Sequence, residues 1–165
     1  MANTTALQRR IRFLLIFFIG ALSAAGLTAI PLRWELGLLN QWFGTDSFLS
    51  PFLPSMAEWI SRVNDSVQNG YGQYPFLAYG TDWLAFAHIV IAVALIGPLR
   101  DPIKNIWVIE LGMIACILLI PWALIFGVVR QIPWFWTLID ISFGAFGIIP
   151  LWWVRRDILT ISEKL

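Results

Sequence analysis

One cysteine, one histidine and little charge are all that this sequence offers to reactive chemistry. Cys116 stands alone, which excludes an intramolecular disulfide, a C-x-x-C redox pair and a cysteine-built zinc site. Charged residues make up 13% of the chain, against about 25% in soluble domains. The formal net charge is only +1, so there is no general field for a polyanion, and nothing matches a nucleic-acid motif. Nucleotide, haem and redox motifs are missing as well, and no cofactor is expected.

What fills the space is apolar. Of the 165 residues, 59% are hydrophobic, well above the soluble range of about 45–50%. Four apolar segments stand out, at 11–30, 80–98, 102–129 and 134–154, each near the length that crosses a core of roughly 30 Å. The expected fold class is therefore an all-α integral membrane protein. It would be one membrane domain over 1–165, a four transmembrane helix bundle with an outer loop carrying a short amphipathic helix. The first segment, "QRRIRFLLIFFIGALSAAGLTA", also has the order of a secretory signal. We read it as a retained anchor, and the other three spans keep their orientation either way.

Lys and Arg set that orientation. Arg9, Arg10, Arg12, Arg100, Lys104, Arg155, Arg156 and Lys164 fall on one side, and Arg33, Arg62 and Arg130 on the other. The excess predicts cytoplasmic termini in a plasma or bacterial inner membrane, with residues 31–79 extracytoplasmic. Trp83, Trp134 and Trp136 fall at the outer boundaries and Trp107, Trp152 and Trp153 at the inner ones, the double aromatic belt of a spanning protein.

Within 31–79, "SMAEWISRVNDSVQNG" predicts a helix over 56–69. Ser55 and Glu58 form an S-x-x-E capping box, and Gly70 is placed to end the helix in a left-handed turn. Met56, Trp59, Ile60, Val63 and Val67 make one apolar face, expected to roof the bundle rather than lie along the bilayer.

His88 and the buried acids carry the functional expectation. "IGPLRDPIKN" reads as a tight turn with Asp101 capping and Pro102 opening the third span. His88 and Glu110 are then level, each about 12–16 Å from that turn. Asp140 lies in the fourth span, and Asp82 opens the second as an N-cap. An ionised carboxylate facing lipid costs about 2.5–3.5 kcal/mol on insertion scales. His88, Glu110 and Asp140 are accordingly expected to turn inward and meet, with small residues beside them. One such stripe is Gly20, Ala24 and Thr28 on the first span.

Pro121 interrupts the third span, and the widened outer half next to Trp122 and Asp140 is where a pocket is expected. No short ligand spacing ties the three polar groups to a metal. The sequence thus supports a bundle that binds a small hydrophobic ligand or handles protons at His88, Glu110, Asp140 and Asp82. It also supports an accessory or structural subunit bound to other membrane-protein subunits, in which the polar groups only fix helix packing. A third reading is an enzyme acting on a lipid-like substrate. The lipid bilayer is the one partner common to all three, and nucleic acid is a partner in none.

Overall fold

The computed structural model describes residues 4–164. Those residues are almost entirely helical, 84% of them in helix and none in strand. The helices are α1 (Thr4–Ala29), α2 (Leu32–Phe43), α3 (Pro54–Gln73), α4 (Tyr79–Ala94), α5 (Ile96–Arg100), α6 (Ile106–Val129) and α7 (Trp134–Ser162), with a 3-10 turn at Pro75–Ala78 before α4. Among the described residues four stretches are long and apolar enough to cross a bilayer: Thr4–Ala29, Pro75–Arg100, Ile106–Val129 and Trp134–Ser162. Two of these outrun the apolar segments that mark them. α1 begins before Arg9, and α7 continues through Arg155 and Arg156, because arginine is itself a good helix former.

Several local expectations are corrected. α3 starts at Pro54, with Leu53 as an N-cap that makes no side-chain bond. The capping box of Ser55 and Glu58 is therefore not formed. Proline at the first helical position already has the helical φ and lacks the amide a cap would satisfy. Gly70 is not left-handed either, and α3 runs on to Gln73, where the Tyr74 amide donates to the Gly70 carbonyl at 2.7 Å. α2 was not anticipated at all. It ends at Gly44, a position that needs glycine because an added Cβ would lie 2.1 Å from Asn40 Oδ1 and 2.5 Å from the Asn40 carbonyl.

α6 begins at Ile106, not at Pro102. Residues 101–105 form a turn. Asp101 Oδ1 accepts the Lys104 amide at 3.1 Å, and Asn105 Nδ2 donates to the carbonyls of Gly97 and Asp101. The Lys104 amide, followed by its ammonium, holds the exposed Asp101 carboxyl below its usual range.

The chain divides into two compact units, one formed by residues up to Ala21 and from Ile91 onward, the other by Leu22–Val90. In the first, α6 and α7 pack antiparallel. Gly127 meets Thr137, Cys116 meets Gly144, and Gly112 meets Leu151, so one number climbs as the other falls. Thr137, Gly144, Leu151 and Ile158 are buried at seven-residue intervals on α7, the repeat that keeps one seam facing a partner helix. On α1, Leu7, Ile11 and Leu15 are buried at four-residue intervals, one helical face.

In the second unit the close approach is at Gly26. A Cβ there would lie 2.9 Å from His88 Cβ and 3.0 Å from the Ala85 carbonyl. The stripe expected for that role is not the contact. Ala24 and Thr28 are exposed, and Gly20 has nothing within 4 Å of an added Cβ. A small residue permits close packing but does not by itself choose the face. α3 packs on α2 and on the 3-10 turn. Ala57 and Ile60 are buried, Met56, Trp59, Val63 and Val67 are half-buried, and Glu58, Arg62 and Asp65 are exposed.

Candidate functional site

Each polar residue singled out in the sequence has its own surroundings. His88 is half-buried on the face of α4 that also carries the buried Ala85 and Ala92. Its Nδ1 lies 2.8 Å from the Leu84 carbonyl on the preceding turn. A carbonyl can only accept, so Nδ1 carries the hydrogen, and in the neutral ring Nε2 remains as an acceptor. Asp82 is exposed in the first turn of α4, not at its cap. The helix begins at Tyr79, and at that position the carboxylate complements the positive helix end.

Glu110 is corrected in depth and in partner. With α6 starting at Ile106, Glu110 stands one turn inside the helix, about 6 Å from its end. There its Oε1 accepts from Arg155 Nε at 2.8 Å. Across the unit, Arg10 grips Asp157 with two nitrogens, Nε donating to Oδ2 at 2.6 Å. Asp157 is 1% exposed, and Arg156 Nε adds a weaker approach at 3.9 Å. Two ion pairs thus tie α1 and α6 to the arginine-bearing end of α7. The sequence reading used those arginines only to orient the chain. The available signal was an acid on one span and an arginine at the same end of another.

Asp140 lies toward the other end of α7, about 15 residues from Arg155, which is roughly 22 Å of helix. Glu110, held by Arg155, and Asp140 are therefore not brought together. One imidazole cannot bridge that distance, so the expected meeting of His88, Glu110 and Asp140 does not occur. Among the described residues no three His, Cys, Asp or Glu side chains are grouped to hold a metal ion.

Asp140 is half-buried, and no described residue pairs with it by hydrogen bond or salt bridge. It lines a shallow groove of about 370 Å³ along α6 and α7, with Leu119, Trp122, Phe126, Arg130 and Phe143 among the other walls. Trp122 is 68% exposed and packs in a tilted contact on Phe126, with ring centroids 4.6 Å apart. α6 passes through Pro121 without a break, although proline leaves the Ile117 carbonyl without its usual amide. Gly127 at the groove allows α6 and α7 to approach closely, since a Cβ there would meet Thr137 Oγ1 at 2.7 Å. Arg130 closes α6 as its C-cap.

Comparison of the chain with protein-family models, with curated proteins and with solved structures gives no match.

Proposed function

We propose that this chain is a small integral membrane protein with four spans, cytoplasmic termini and residues 31–79 outside, acting as an accessory subunit. On this reading, the groove between the outer halves of α6 and α7 receives a transmembrane helix of another membrane protein. Asp140 is the polar anchor.

Membrane insertion is supported by α6. Apart from Glu110 it is apolar on every side, with a mean hydropathy of 2.5 over its most apolar window, yet only Ile109 and Gly127 are buried. A helix of that kind needs an apolar surround on every side, and lipid supplies it. The observation that carries the subunit reading is Asp140. A carboxylate at that depth requires a cation, a hydrogen-bond donor or a proton. The groove beside it is long, shallow and aromatic, the shape of a helix seat rather than an enclosed ligand cavity. A partner helix with Lys, Arg, His, Asn or Gln at the matching height satisfies both features. A small amphiphile is the second reading, favoured by Arg130 at the mouth of the groove. A proton relay through Glu110 and Asp140 is not part of the proposal, given their separation.

Interhelical polar contacts in lipid contribute about 0.6–2 kcal/mol, so losing this one weakens association by roughly threefold to thirtyfold. The test is a photo-crosslinking residue at Phe143, activated in native membranes. The expected result is one discrete protein adduct whose yield falls within that range on Asp140→Leu and is unchanged by Asp65→Leu. Adducts to lipid alone, or a protein adduct indifferent to Asp140→Leu, would contradict the subunit reading.

A further inference from the structure

The hairpin of α2 and α3 leaves an apolar stripe of α2 uncovered. Beside the buried Ala57 and Ile60 of α3, polar groups link the two helices. Arg33 Nε donates to Gln68 Oε1, while Gln68 Nε2 donates to the Arg33 carbonyl at 2.7 Å. Ser61 Oγ donates to Asn40 Oδ1 at 2.7 Å and accepts the Thr45 amide at 3.0 Å. Away from those groups α2 carries an apolar stripe. Trp34, Leu38 and Trp42 recur at four-residue intervals, one helical stripe, and Trp34 and Trp42 are 66% and 69% exposed. A shallow apolar trough of about 350 Å³ runs along that side between Glu35 and Phe43. The turn into α3 adds Phe48 and Phe52, both largely exposed. Glu58, Arg62 and Asp65, by contrast, are exposed on α3.

We infer that this hairpin lies in the interface of the outer leaflet, with the Trp34–Trp42 stripe of α2 among headgroups and upper acyl chains and α3 toward water. The inference rests on the membrane reading above. Two observations select lipid as the occupant. The connections are too short to let the hairpin leave the surface, for only Ile30 and Pro31 separate α1 from α2, and the 3-10 turn runs directly into α4. The stripe is tryptophan-rich and nearly free of cations, a composition that suits the headgroup boundary of a bilayer and does not depend on anionic lipid. The apolar face that meets the membrane is then on α2, while the face of α3 is turned to its neighbours within the hairpin.

Spin-labelled single cysteines in the full chain test this, in a Cys116→Ala background reconstituted in phosphatidylcholine nanodiscs. Labels go at Trp42→Cys, Phe48→Cys, Asp65→Cys and, as the membrane control, Leu118→Cys on α6. Collision with oxygen over collision with a water-soluble nickel chelate is expected to be severalfold higher at 42 and 48 than at 65, and highest at 118. If 42 and 48 match 65 while 118 stays lipid-like, the inference is overturned and the membrane reading stands. Dipolar broadening at 42 would show a second copy on the stripe and overturn it as well. A chelate-accessible 118 would remove both.

Discussion

Gly144→Leu is expected to destabilise the α6–α7 pair by about 3 kcal/mol, the upper range for overfilling a packed site. A Cβ at Gly144 would lie 2.6 Å from the Cys116 carbonyl oxygen. That atom is backbone, so no rotamer change relieves the clash and the helices must separate. Separation also loosens Gly112 against Leu151 and Gly127 against Thr137, the neighbouring contacts of the same seam. The paired control is Gly20→Leu, where an added Cβ meets nothing within 4 Å, and a change within about 0.5 kcal/mol is expected. Reversible unfolding in mixed micelles, followed by circular dichroism, compares the two. Equal losses would mean that α6 and α7 do not pack through this seam.

Arg10→Leu should be nearly as damaging. It leaves the Asp157 carboxylate, 1% exposed, without its main partner, and breaking a buried ion pair typically costs about 3–5 kcal/mol. Arg10 itself is 44% exposed, which places the expected loss near the lower end, about 3 kcal/mol. The double change Arg10→Leu with Asp157→Leu should recover most of it, since a buried pair replaced by apolar residues is often neutral or stabilising. The same unfolding measurement reads both variants. A double variant as unstable as the single one would show that the pair supplies net stability rather than register.

The four apolar helices were legible because lipid-length hydrophobic runs need no tertiary information. Their ends were not. Arginine prolongs α1 and α7 beyond the apolar run, and a proline start displaced the capping box of α3. α2 was missed because its outward stripe and its inward polar groups cancel the usual cue, an apolar face turned to the protein. The expected pairing of the candidate site is where the sequence misleads, since Glu110 is held by Arg155 and does not reach Asp140. Acids on apolar helices do seek partners, but Glu110 and Asp157 pair with arginines 45 and 147 residues away in sequence. Sequence spacing does not encode such separations. Starting α6 at Ile106 instead of Pro102, four residues later, is enough to bring Glu110 from mid-helix to about one turn inside its end.

The four-span topology underlies the seat at Asp140 and the interfacial hairpin alike, and labelling with a membrane-impermeant maleimide tests it most directly. Single cysteines at Asp65, Gln131, Ile103 and Glu163 are compared in intact and permeabilised cells, with Cys116 replaced by alanine. Labelling of 65 and 131 in intact cells, with 103 and 163 reacting only after permeabilisation, is the predicted result. Reaction of 103 or 163 from outside, or protection of 65 and 131, would contradict it.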